Sequence, residues 1–378
     1  MKKQLCILFF TLFALSANGQ QVPTTKLTTD KPPTLQELQA DPNVLWIGEA
    51  MVDYAPDYHT ITARDEIREK MTKIGFSSIN YVKTLKLQSQ DIDDDDKEEH
   101  KLATILLGSI DDVTCYADAA LTKSYTKEEA RSKITKNYVI NTIDPETSEE
   151  VTFNMSHKIN PSAIHSFRMK QLIYYDKKRV TFQVIPLAIA PLIDESGTDG
   201  TITMKPLFWC KLDFFDAMPN LNSAAISYAK RMYRPLPQEA ITPLKGTQTL
   251  GDLTMMMVED IKKSKGEKYL GNVFNMNGSD PLPISEIEEF SNTVDTIITF
   301  DPNTFDEIVQ VVRINMTAEG MTKMRLIQDW IWNDETKTMG IHFVGFAPII
   351  DRLDNEGNFW NSGPLFYRRP DLDKPTLK

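Results

Sequence analysis

The sequence predicts an α+β fold made by tandem duplication, in which a β-hairpin plus a third strand, packed on helices, occurs twice. Three observations lead there. The 378 residues are 41% hydrophobic and 25% charged, a globular composition with length for two or three domains. Alternating apolar and polar residues, the period of a strand, recur in two well-separated stretches. Those stretches also resemble each other at a constant offset of 157 residues.

The repeat begins where Asp144-Pro145-Glu146-Thr147 resembles Asp301-Pro302-Asn303-Thr304. The same offset pairs Arg168 with Arg325, Gln171 with Gln328, and Ala190-Pro191 with Ala347-Pro348. One extra residue then brings Pro206-Leu207-Phe208-Trp209 onto Pro364-Leu365-Phe366-Tyr367. In the first copy Phe167, Met169, Ile173 and Tyr175 mark a strand, Asp176 to Arg179 a reversal, and Val180, Phe182 and Val184 the return. In the second, Met324, Leu326, Trp330 and Trp332 share a face, Asn333 to Thr336 reverse the chain, and Ile341 and Phe343 lead back. The Ala-Pro pair is expected to end each return strand, because proline cannot donate to a ladder. A glycine-bearing loop (Asp194 to Gly200; Asp354 to Gly357) and a short aromatic strand follow.

Helices are expected at Thr62 to Ile74, Leu102 to Ile110, Asn220 to Tyr233 and Leu250 to Lys263, with a short strand at Val113 to Tyr116. The resulting organisation is a leader at 1–19, a flexible lead-in at 20–40, a first unit at 41–237, a linker at 238–249 and a shorter second unit at 250–378.

The leader sets the compartment. Lys2 and Lys3 precede an apolar run from Leu5 to Ala17, and Ala17-Asn18-Gly19 supplies the small residues of a cleavage site. The run is too short to span a bilayer, and Cys6 lies inside it, not after it, which disfavours a lipid anchor. The net charge of −11 becomes −13 once Lys2 and Lys3 are removed, which argues against nucleic acid or an anionic membrane face as partner. Cys115 and Cys210 remain in the mature chain. An oxidising compartment allows one disulfide, but both lie in apolar, strand-like surroundings, where the favoured reading is two buried thiols acting as small hydrophobes.

Signatures of catalysis, metal or cofactor binding are missing from the sequence: no HExxH, CxxC, Walker A, GxGxxG or GxSxG pattern occurs. Asp91 to Glu99 alternates carboxylates but has Asp96 where a calcium loop needs glycine and Leu102 where it needs glutamate, so it reads as a solvated acidic loop. Six residues remain as candidate partner contacts. Trp330, Trp332, Tyr174 and Tyr175 could anchor a protein partner, with core packing weighing more for the tryptophans. Arg168 and Arg325 could present a donor fork to another subunit, or pair with a carboxylate across the sheet.

These same residues carry a family resemblance. Phe167-Arg168-Met169-Lys170-Gln171, Tyr174-Tyr175-Asp176, Ala190-Pro191 and Leu207-Phe208-Trp209 resemble the GldN/PorN family of type IX secretion and gliding motility in Bacteroidetes. Arg325 to Trp330 with Asn333-Asp334 and Gly345 to Pro348 is similar to the same stretch, and Leu45-Trp46 and Asp65 to Met71 to the family's amino-terminal signature. The family has glutamate where this chain has Gln171 and Gln328, which with the duplication suggests a divergent paralogue. The resemblance implies a non-enzymatic periplasmic subunit that forms rings with a GldK/PorK outer-membrane lipoprotein, homo- or hetero-oligomeric, without a cofactor or an anchor of its own. The competing readings are an exported hydrolase with paired carboxylates and an extracellular binding module.

Overall fold

A computed structural model describes residues 31–54, 101–143, 149–164, 166–197, 199–215, 223–263, 294–300, 306–313, 318–353 and 359–370, with short pieces at 146, 219, 273–274, 281–282 and 304. The expected leader, the helix at Thr62 to Ile74, the acidic loop at Asp91 to Glu99 and the loop at Asp354 to Gly357 lie outside the described residues. The fold is α+β and mainly β.

Two long hairpins form its frame. Strand β5 (Ser166–Asp176) pairs antiparallel with β6 (Thr181–Ser196), and β14 (Lys323–Asn333) with β15 (Thr338–Leu353). The two hairpins have equal strand lengths, 11 and 16 residues, and every boundary lies 157 residues from its counterpart. Each carries a register shift at the corresponding place, between Lys170 and Gln171 and between Ile327 and Gln328. Each four-residue reversal ends on a non-glycine residue in the left-handed region, Val180 (φ 48) and Lys337 (φ 53). The expected reversals at Asp176 and Asn333 are therefore found, with a backbone conformation that pattern alone does not show.

The return strands do not end at the Ala-Pro pairs as the sequence predicts. β6 and β15 run on through Pro191 and Pro348 to pair with β7 (Ile202–Pro206) and β16 (Phe359–Pro364). Proline removes one N–H but keeps its carbonyl, and Leu207 N–H and Leu365 N–H donate to the carbonyls of Pro191 and Pro348 at 3.0 and 2.8 Å. The short aromatic strands then follow as β8 (Trp209–Phe215) and β17 (Tyr367–Arg368).

Each hairpin gains an outer neighbour: β1 (Val44–Tyr54) lines β5, and β9 (Ile226–Pro237) lines β14. The latter corrects the expected helix at Asn220 to Tyr233. Alanine and serine there suit a helix, but pairing with β14 from Asn333 back to Lys323 overrides that propensity, and Ile226, Tyr228 and Met232 turn inward. The stretch expected as linker holds a 3-10 turn (Gln238–Ala240) and β10 (Ile241–Lys245), which pairs with β1.

The two halves join edge to edge where β8 and β15 run parallel, Leu212 opposite Met339. Gly340 is required at this seam, since a Cβ there would stand 1.9 Å from the Phe215 ring. The sheet halves also face each other across two apolar clusters. One holds Tyr54, Phe167 and Met169 against Trp330, Trp332 and Ile341, closed by helix α2 (Lys101–Gly108). The other holds Trp46, Ile173, Tyr175 and Phe182 against Met324, Leu326 and Phe346, closed by α4 (Leu250–Lys263). Between them Gln328 Nε2 donates to Gln171 Oε1 at 3.0 Å, both side chains fully buried. Helix α1 (Leu35–Ala40), begun by a Thr34 capping box, packs Leu38 on the outer face of the first half.

Candidate interaction surface

Two hairpins stand off this body. The first, β3 (Thr135–Ile143) with β4 (Glu150–Lys158), is a separate two-stranded sheet. Helix α3 (Lys127–Lys133) roots it. Thr126 and Glu129 form a capping box, Ala130 and Ile134 are buried, and Ile159 N–H donates to the Ile134 carbonyl at 2.8 Å. Arg131 fixes the root to Asp111 at 2.6 Å, and this contact holds the Asp111 carboxyl below the usual carboxylate range. Beyond the root the strands are exposed on both faces.

Alternation sorts the side chains of this arm. Ile140 lies opposite Phe153, and with Met155 and half-buried Val151 they make one face apolar. Asn137, Asn141, Thr152, Asn154 and Ser156 dominate the other, with Val139 and Ile143 among them. Phe153 and Met155 are more than half exposed. A lone hairpin is marginal in water, and one that presents an apolar face with two open edges gains stability when a third layer covers it.

The second arm, β12 (Val294–Phe300) with β13 (Glu307–Arg313), starts β13 157 residues after β4 starts. Ile298, Phe300 and Val309 share one face and are exposed. Arg313 pairs through its backbone with Leu353 and ties the arm to β15. Two further exposed apolar tips, Ile202 with Met204 on β7 and Phe359 on β16, extend from the ends of the long hairpins.

The six residues singled out in the sequence are spread over the body and are not gathered in one patch. Arg168 Nε and Nη2 donate to the Asp53 carboxylate across the sheet at 2.7 and 2.8 Å, which raises the guanidinium pKa. Arg325, opposite Pro235, instead donates to the Tyr367 hydroxyl at 2.7 Å. Tyr174 is half-buried beside Leu172 and Ile185. Tyr175 is buried and donates to Asp260 on α4 at 2.8 Å; burial, then this carboxylate, push its pKa well up. Trp330 meets the Tyr54 ring edge-on at 5.2 Å, and Trp332 Nε1 donates to Asp334. Both indoles are buried in this chain's own core.

Sequence reasoning missed a buried ionic row. On the second half, Asp329 lies between Arg231 on β9 and His342 on β15 in one register line. Arg231 grips both carboxylate oxygens at 2.6 and 2.7 Å, and His342 Nδ1 stands 3.6 Å away. Burial is the largest influence on Asp329 and opposes its ionisation, yet Arg231 and His342 together outweigh it and hold the pKa below the ordinary carboxylate value. The other carboxylates with resolved shifts, among them Glu37, Asp118 and Asp252, are also lowered, by capping and turn hydrogen bonds. Such groups are set for pairing; a general acid needs the opposite shift. Among the described residues no three His, Cys, Asp or Glu side chains gather as a metal set, and no helix is long and apolar enough to cross a membrane.

The first arm, both long strands of the first hairpin and most of β9 fall inside one matched span. Residues 78–235 match the family of the gliding motility associated protein GldN. The chain is GldN-like over that span. No curated protein matches it. The GldN-like region thus includes Arg168, Tyr174 and Tyr175 but stops before the second long hairpin.

Proposed function

We propose that the chain is a non-catalytic structural subunit of a gliding-motility and type IX protein-secretion assembly in the cell envelope. It is exported by its leader and assembles in a ring with a GldK/PorK-like outer-membrane lipoprotein. The observation that carries this reading is the GldN match over 78–235, a span that contains an arm with an exposed apolar face. Contacts run through the two arms and their open strand edges, by strand addition or apolar docking. Half-exposed Arg168, Tyr174 and Arg325 contribute at the rim, whereas Tyr175, Trp330 and Trp332 serve the body.

The chain is also read as a tandem duplication. The equal long hairpins, the matched register shifts and the paired positive-φ residues support it. So does the bridge of Tyr116 to Ser124, answered by Phe274 to Pro281.

Crosslinking with mass spectrometry in cell envelopes tests the assembly. Wild type should crosslink through 135–158 to an outer-membrane lipoprotein, and a Phe153→Asp/Met155→Asp variant should lose those links while unfolding within about 0.5 kcal/mol of wild type. A deletion strain should lose secretion of carboxy-terminal-signal cargo and regain it on complementation. A monodisperse monomer that ignores every lipoprotein, with secretion intact in the deletion strain, overturns the reading.

A further inference from the structure

The strand β2 (Cys115–Tyr116) is two residues long and pairs antiparallel with β8, Cys115 directly opposite Cys210. Residues facing each other in antiparallel strands have Cα atoms about 4.5–5.5 Å apart, inside the range a disulfide spans. Both side chains are free thiols buried in the α2 cluster, and Cys115 Sγ donates to the Val113 carbonyl at 3.7 Å. The corresponding pair in the second half is Val273 opposite Arg368, so facing cysteines are not demanded by the strand pairing itself.

We propose that Cys115 and Cys210 are joined by a disulfide in the mature protein, fastening β2 to β8. The inference rests on the export reading above, since a reducing cytoplasm would keep the thiols free. The closed loop runs from 115 to 210 and carries the first arm and the first long hairpin, so the bridge fixes the root of the arm to the body.

Access follows from the surroundings. Cys115 lines an open hollow of about 480 Å3, together with Asp111, Tyr125, Lys127 and Lys337, and Cys210 does not line it. The Cys210 thiol lowers the pKa of Cys115, and the same contact together with burial raises that of Cys210. The Cys115 thiolate, having lost its proton to solvent, attacks one sulfur of an oxidant disulfide, either a thiol oxidoreductase in its oxidised form or oxidised glutathione. That S–S bond breaks and releases one oxidant thiolate. The Cys210 sulfur then attacks Cys115 in the mixed disulfide, loses its proton, and releases the second oxidant thiol. Two protein thiols are oxidised and one oxidant disulfide is reduced.

The test uses the mature chain from residue 20 onward, which has lost Cys6 with the leader. Folded, reduced protein is treated with oxidised glutathione and its intact mass is read after N-ethylmaleimide labelling. The expected product is lighter by two hydrogens, takes no label at Cys115 or Cys210, and yields a Cys115–Cys210 linked peptide. A stable glutathione adduct or two labelled thiols overturns the proposal. Protein recovered from cells is labelled in parallel. Processed envelope protein with both thiols free also overturns it, whereas bridging in vitro by a chain found unprocessed in the cytoplasm sinks the export reading and leaves the geometry standing. As a second readout, reduction should lower the urea midpoint of wild type and leave that of Cys115→Ser unmoved; equal midpoints before and after reduction of a bridged sample remove the fastening role.

Discussion

The row Glu49–Leu172–Ile185 in the first half and the row Arg231–Asp329–His342 in the second occupy matching places on matching strands. The first is an apolar patch under α1, with Leu38, Val44 and Ile47 around it and Glu49 turned outward to Lys170. The second is a buried charge cluster. The same backbone therefore tolerates two opposite chemistries at one position. An apolar row stabilises by leaving water, while an ionic row holds only while each charge keeps its partner.

Breaking the ionic row should give the largest effect. Asp329→Ala leaves Arg231 buried without its carboxylate, and urea unfolding should show a loss of about 3–5 kcal/mol. Converting the row to the first half's pattern sharpens the comparison. Asp329→Leu with His342→Ile and Arg231→Met, which leaves no charge unpaired beside buried Ile327, should recover most of that loss; failure to recover would mean that the two environments differ beyond this row.

Acid reports on the same cluster. Because the folded pKa of Asp329 lies below its unfolded value of about 3.9, its contribution is complete above that pH and disappears as pH falls through the folded value. Wild type should therefore lose stability more steeply than the converted variant in melts below about pH 4. Parallel acid profiles would remove Asp329 as the cause.

Smaller effects follow at the matched polar pair and the turns. Gln328→Leu leaves the Gln171 carbonyl oxygen without its donor and should cost about 1–3 kcal/mol, with much of it regained in the Gln171→Leu/Gln328→Leu double variant. Lys337→Gly should relieve the left-handed strain for a net gain of about 0.5 kcal/mol, measurable as a raised thermal midpoint.

The long hairpins were legible because apolar residues recur at every second position on their inward faces, broken only at Gln171 and Gln328, and their reversals are polar. The helices α2 and α4 were legible from apolar runs of helical length. β9 was not, since Ala224-Ala225 and Ala229 favour a helix and only its partner β14 decides otherwise. The first arm carried a usable signal, the alternation Val151, Phe153, Met155, but its apolar face is exposed, and alternation alone does not say whether a face is covered. The ionic row was beyond reach, because Arg231, Asp329 and His342 come together only through two strand registers. Cys115 and Cys210 were both placed in apolar strands, but nothing in their spacing set them opposite each other.

An amide carries both a donor and an acceptor, so a glutamine can bind its own likeness with no third party. Two carboxylates in the places of Gln171 and Gln328 would meet as like charges at the centre of the protein and would have to share a proton. Where β5 meets β14 the fold thus favours a neutral side chain that can both donate and accept, with Gln328 Nε2 donating to Gln171 Oε1 and Gln171 Nε2 donating on to the Tyr54 hydroxyl.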